Sequence, residues 1–306
     1  VRATSTPQQL RPGLLSLALL VGAFGLIALL AACGGGVRPT LTSERLVESP
    51  TPETTEIAAP TATALAVPTQ GSEAPVEQLA VQVLETFPHD AAAFTQGLEL
   101  DGGLLLESTG LNGQSDLRRV IPETGVVIQS VPTPNDFFAE GLTKVGDQLI
   151  QLTWTENTAF FWDAASFELR KEVTYQGEGW GICYDGAQLI MTDGTPVLIF
   201  RDPTTFEETG RVAVTRNGED VLNLNEIECV NGVVWANVWK TDLIMRIDPT
   251  TGVVTGVVDA ASLDGPTEPS GAVLNGIAWD EQSQSFYITG KLWPTMYRVN
   301  FVPVPS

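Results

Sequence analysis

Five short triplets hold the side chains of this 306-residue chain whose types and spacing could do chemistry. They read Gln96-Gly97-Leu98, Glu140-Gly141-Leu142, Trp180-Gly181-Ile182, Asn225-Glu226-Ile227 and Asn275-Gly276-Ile277, at steps of 44, 40, 45 and 50 residues. Glu140 is the one ionisable residue that leads a triplet. Phe138 stands two positions before it, and side chains two apart on a strand share a face. With tryptophans on neighbouring segments, Phe138 is expected to desolvate the carboxyl and raise its pKa toward working pH. Such a group can take up and return a proton; the plain alternative is a solvated surface carboxylate. Lys291 is the second candidate, because residues 77–306 hold only four lysines and this one follows an apolar segment closely. The single histidine, His89, cannot build a His-rich zinc site and is expected in a loop beside Pro88.

Residues this far apart converge only if a repeating scaffold brings them together. A period of this size, with short β-type segments inside each unit, is the signature of propeller blades. The expectation is an all-β, five-bladed β-propeller over residues 77–306, with Gln96, Glu140, Trp180, Asn225 and Asn275 forming a ring at the central axis. After each triplet comes a turn: Asp101-Gly102, Gly146-Asp147, Asp185-Gly186, Asn231-Gly232 or the polar Glu281-Gln282 run. Asp-Gly and Asn-Gly accept the positive φ of tight hairpins. Second strands follow, such as 148–154, 188–192, 233–239 and 285–289. Third and fourth strands meet at Pro122-Glu-Thr-Gly125, Asp163-Ala-Ala-Ser166, Asp202-Pro-Thr-Thr205 and Asp248-Pro-Thr-Thr251, where Asp and Pro favour turns. An alternating segment, Gln78 to Thr86, precedes the first triplet, while the last repeat runs out of chain at Phe301. The N-terminal strand is therefore expected to close the last blade as its outer strand.

Residues 1–76 differ in kind. No charge interrupts Pro12 to Val37, and Leu30-Ala31-Ala32-Cys33 followed by three glycines resembles a bacterial lipobox. The expectation is a lipoprotein signal peptide over 1–32, lipidation of Cys33 and a disordered Thr- and Pro-rich tether over 33–76, so that the domain sits outside the cytoplasmic membrane on a lipid anchor. An uncleaved membrane anchor is the alternative. Four basic and five acidic residues lie in 1–76, leaving −20 of the net −21 on residues 77–306. A domain this acidic is a poor partner for nucleic acid. Cys183 and Cys229 occupy similar places in neighbouring repeats, and spacing alone does not bring their Cα atoms into bonding range, so two separate buried thiols are expected.

The strings F-T-Q-G-L (94–98), F-A-E-G-L (138–142), L-T-W (152–154), G-E-G-W-G (177–181), L-N-E-I-E (224–228), V-W-A-N-V-W (234–239), N-G-I-A (275–278) and T-G-K-L-W-P (289–294) resemble the plant-type and bacterial glutaminyl-peptide cyclotransferases. The resemblance spans residues 77–306. It implies a five-bladed propeller, unrelated to the zinc-dependent animal enzymes, that needs no cofactor or metal and converts N-terminal glutamine of peptides to pyroglutamate with release of ammonia. By the same resemblance Glu140 is the proton shuttle, and Asn225 and Lys291 donate to the developing oxyanion. Gln96 holds substrate, while Phe94, Phe138, Trp154, Trp180 and Trp239 form walls that exclude water. Asn275 belongs to the ring but receives no role. Trp235 reads equally as packing between blades. Two other functions compete: a propeller that captures peptides or proteins without chemistry, and a metal-dependent lactonase, for which too few carboxylates lead the repeats. A closed propeller is expected to be monomeric.

Overall fold

A computed structural model describes residues 75–266, 269 and 271–305, and every regular element among them is a β-strand. The signal peptide, Cys33 and the tether as far as residue 74 lie outside the described residues. After β1 (Glu77–Pro88) come three four-stranded antiparallel meanders. They are β2 (Thr95–Asp101), β3 (Leu104–Thr109), β4 (Asp116–Ile121) and β5 (Val126–Pro132); β6 (Ala139–Val145), β7 (Gln148–Thr153), β8 (Thr158–Asp163) and β9 (Leu169–Thr174); and β10 (Ile182–Tyr184), β11 (Leu189–Met191), β12 (Val197–Arg201) and β13 (Glu208–Ala213). A small hairpin, β14 (Thr215–Arg216) and β15 (Glu219–Asp220), turns on Asn217-Gly218, both at positive φ, and adds to the four-strand plan. The last strands are β16 (Leu224–Val230), β17 (Val233–Val238), β18 (Leu243–Ile247) and β19 (Val254–Asp259), then β20 (Leu274–Asp280), β21 (Ser285–Gly290) and β22 (Thr295–Pro303).

The N-terminal strand closes the last sheet as expected. β1 pairs antiparallel with β22 from Leu79↔Pro303 to Pro88↔Thr295. It also runs parallel to β19, from Glu77↔Gly256 to Ala80↔Asp259, which joins the last two meanders into one eight-stranded sheet. One strand thus covers two edges that would otherwise stand open. The turns between third and fourth strands are held by their aspartates: Asp202 Oδ1 accepts from Thr204 N and Thr205 N, both at 2.8 Å, Asp163 Oδ1 accepts from Ala165 N and Ser166 N, and Asp248 accepts from Thr250 N and the Thr251 hydroxyl.

The first strands of the sheets touch in a cycle: β2 packs against β6 and β20, β10 against β6 and β16, and β16 against β20. Their approach explains the glycine of the triplet. A Cβ on Gly141 would lie 2.6 Å from Trp180 O, and one on Gly181 would lie 2.2 Å from Asn225 O. No side chain fits there. The triplet is also where pairing to the second strand shifts: between Thr95 and Gly97 in β2, Ala139 and Leu142 in β6, Leu224 and Ile227 in β16, and Leu274 and Ile277 in β20. A bulge re-aims the side chain it carries and frees it from the sheet. In four of its five copies the repeat seen in sequence is therefore a bulge.

One expectation is overturned and two others gain detail. Cys183 and Cys229 are not separate thiols: they form a disulfide between β10 and β16, with Cα atoms 5.5 Å apart across 46 residues of sequence. The touching first strands bring them into range, and closing a loop of that size is worth about 4 kcal/mol through the unfolded chain. Trp235 resolves to packing, its ring centroid 5.4 Å from Phe286 and 4.8 Å from Phe301. His89 does lie in the loop after β1, yet its side chain is buried. Its Nε2 meets Glu107 Oε1 at 3.0 Å and its Nδ1 meets Trp293 O at 2.7 Å, tying β3 to the β21–β22 turn.

That buried pair predicts a pH-dependent stability. Burial pulls His89 down, but the Glu107 carboxylate outweighs it and raises the imidazole above its ordinary 6.5. Burial pushes Glu107 up, and His89 with Arg118 overcomes this to hold it below its ordinary 4.5. The raised imidazole stabilises fully below 6.5 and loses its contribution as pH climbs through the raised value; the lowered carboxylate stabilises above 4.5 and fails as pH falls through the lowered one. Both act together between those limits. Glu107→Gln is expected to cost about 3 kcal/mol in urea unfolding at pH 5.5, with a smaller difference at pH 9. Equal losses at both values would show that the ion pair is not the source.

Candidate active site

The bulged ends of β2, β6 and β16, together with the segments that follow β7, β17 and β21, surround a pocket of about 450 Å³. Phe94, Gln96, Phe138, Glu140, Trp154, Trp180, Asn225, Trp239 and Lys291 all line it. Every catalytic and substrate-binding residue expected from the sequence is therefore brought to one place. Phe94 and Gln96 face the pocket as period two requires, and so do Phe138 and Glu140, although the pairing shifts at Gln96 and at Glu140 themselves.

Glu140 is 5% exposed. Gln96 Nε2 donates to its Oε1 at 2.9 Å, a bond between triplets 44 residues apart. Burial raises the Glu140 carboxyl well above its ordinary value; the Lys291 charge pulls it back in part, while Glu156 and Glu178 push it further up. Lys291 is 4% exposed. Burial lowers its ammonium to about 8, against the pull of Glu140 in the other direction. Its Nζ lies 5.0 Å from the centroid of Phe94 and has no hydrogen-bond partner among the described residues. An acid and a base with their pKa values moved toward one another suit proton transfer near neutral pH.

Gln96 Oε1 and Asn225 Oδ1 are buried and lack partners among the described residues. Their amides can serve a ligand. Asn275 differs from Gln96, Glu140, Trp180 and Asn225: fully buried and not part of the pocket lining, it donates from Nδ2 to Thr95 O at 2.9 Å, fastening β20 to β2. The aromatic walls meet edge to face. Phe94 and Phe138 have centroids 6.1 Å apart, Phe138 and Trp154 5.7 Å, and Trp180 and Trp239 5.4 Å.

Sequence reasoning passed over three residues. Lys240 lines the pocket with Nζ 4.1 Å from the Trp239 centroid; the scarcity of lysine that flagged Lys291 applied to it equally. Glu178 binds two wall tryptophans through their indole nitrogens. Glu226 takes the triplet position that glycine fills elsewhere. Its carboxylate accepts from Ile277 N at 2.8 Å and Leu98 N at 3.3 Å, bridging β20 and β2. The break in the glycine pattern was its signal.

Three comparisons bear on this pocket. A family model described as glutamine cyclotransferase matches residues 56–301. A glutaminyl-peptide cyclotransferase from Arabidopsis thaliana is 42% identical over 225 residues, 72% of this chain and 70% of the relative. The crystal structure of Myxococcus xanthus glutaminyl cyclase matches with a TM-score of 0.72 at 39% identity, covering 75% of this chain and 100% of that one.

Proposed function

The chain belongs to the glutamine cyclotransferase family, and we propose that it closes the N-terminal glutamine of peptides into pyroglutamate, with Glu140 carrying the proton. The observation behind this is a buried carboxyl, bonded to Gln96 and facing Lys291, inside an aromatic pocket. The fold that serves it is a five-bladed β-propeller: β1 is the outer strand of the fifth blade, and the cycle of first strands surrounds the axis.

The substrate's α-amine loses a proton to Glu140 and its nitrogen attacks the side-chain amide carbon. As the C–N bond forms, negative charge collects on the amide oxygen. Lys291 and the Asn225 amide donate to that oxygen. Glu140 then returns the proton to the amide nitrogen, the old C–N bond breaks, and one ammonia leaves for each lactam formed. Gln96 orients the carboxyl through Nε2 and accepts from the substrate through Oε1. The aromatic walls hold the side chain folded over its own amine, which turns ring closure into a matter of proximity.

The pocket is complete within one copy of the chain, which favours a monomeric enzyme. Export and tethering through Cys33 are part of the same reading, and the Cys183–Cys229 bond fits an oxidising compartment. The direct test is incubation with a Gln-initiated peptide, following ammonia release and lactam formation by mass. Turnover well above the spontaneous rate is expected; its absence across several peptides would leave a peptide-binding propeller.

A further inference from the structure

The aromatic wall has a gap between Trp154 and Trp180. Phe94, Phe138 and Trp154 form a run of edge contacts on one side, and Trp180 meets Trp239 on the other. Trp154 follows β7 and Trp180 precedes β10, so they belong to different sheets. No ring contact joins them among the described residues. Glu178 fills the gap. Its Oε2 accepts from Trp154 Nε1 at 2.8 Å and from Trp180 Nε1 at 2.9 Å.

The segment that carries Glu178 is fixed in turn. Gly179 N donates to Trp154 O at 3.0 Å, and a Cβ on Gly179 would lie 2.1 Å from the Tyr175 hydroxyl oxygen. That hydroxyl donates to Thr153 O at 2.7 Å. The carboxylate is therefore aimed by backbone. Its two tryptophans have less support of their own: Trp154 is 40% exposed, and Trp180 lies against Gly194, which offers a flat surface and no side chain to grip the ring.

We propose that Glu178 is a positioning residue for the cyclisation: by holding both indoles on one carboxylate oxygen, it fixes Trp154 and Trp180 as a continuous wall across the sheet boundary. This rests on the reading of the pocket as a cyclotransferase site. An indole that must be ordered when substrate arrives subtracts from binding. Loss of the clamp therefore acts on substrate capture more than on the proton steps.

Three variants test it. Glu178→Ala is expected to raise KM for a Gln-initiated peptide about tenfold through two lost charge-assisted bonds, while kcat changes less than about threefold. Its tryptophan emission is expected to shift to the red. Glu178→Gln keeps a carbonyl oxygen that can accept both indoles and is expected to bring KM back within about twofold of wild type. Glu178→Asp is one methylene too short to reach both rings; an intermediate KM is expected, and this variant serves if Glu178→Ala does not fold. Wild-type KM and emission in a folded Glu178→Ala or Glu178→Asp protein would overturn the clamp, as would a Gln variant no better than Ala. The reading of the site fails separately, through an active Glu140→Gln enzyme.

Discussion

Glu140→Gln is expected to lower kcat about a thousandfold, the ordinary worth of a positioned general acid and base. The substitution keeps the shape of the side chain, so KM should change little. Stability is the informative control. A carboxyl this deeply buried, with its proton affinity raised by burial ahead of every other influence, stabilises the fold less in its charged form than a neutral amide does. The variant is therefore expected to unfold at a denaturant concentration no lower than wild type. A loss of activity accompanied by clear destabilisation would point to collapse of the pocket instead of loss of a proton carrier. The part of the acid limb of kcat/KM that Glu140 contributes should also vanish from the residual activity, leaving only the limb of the substrate's amine. In the wild type that limb lies above the usual carboxylate range, because Glu140 must be ionised to accept the amine proton, and burial with Glu156 and Glu178 delays its ionisation.

Lys291→Met is expected to cost about a hundredfold or more in kcat, the range for a lost oxyanion donor. Its effect on pH dependence has a definite sign. Burial brings Lys291 to about 8, and its deprotonation removes the cation from the transition state, giving wild type a falling limb near that value. The methionine variant should lose this limb. Lys291 is also the neighbour that draws Glu140 downward, so its removal should push the acid limb to still higher pH. The two limbs belong to the pair, and each should move when either partner is changed. The substrate's own amine titrates in the same region, at about 7.7–8.0. Comparing wild type and variant on one peptide cancels it. An unchanged alkaline limb would remove Lys291 from the chemistry.

Much of the site was legible because its residues announce themselves by type and period. Five leading residues recur at blade-like steps, and Phe94 with Gln96 and Phe138 with Glu140 obey the alternation of a strand. What escaped were pairings between sheets. Glu178 stands two residues from Trp180 but 24 from Trp154, and nothing in that spacing reveals one oxygen shared by two indoles. The burial of His89 escaped because Glu107 on β3 and Trp293 in the β21–β22 turn reach it from distant parts of the chain. Cys183 and Cys229 looked unpaired for the same reason.

By itself the sequence determined the all-β class, the closing role of the N-terminal strand and most of the side chains that line the pocket. Those follow from local chemistry: turn residues, alternation and glycine at a fixed place in four of the five units. Tertiary structure decided how the members act. Only the close approach of the first strands shows why the triplet needs glycine, why Glu226 can replace it as a bridge, and why Asn275 is a fastener while Asn225 faces the pocket. Burial is likewise a property of the assembled sheets. It raises Glu140 well above the ordinary carboxylate range and brings Lys291 down to about 8, and no stretch of chain read alone contains it.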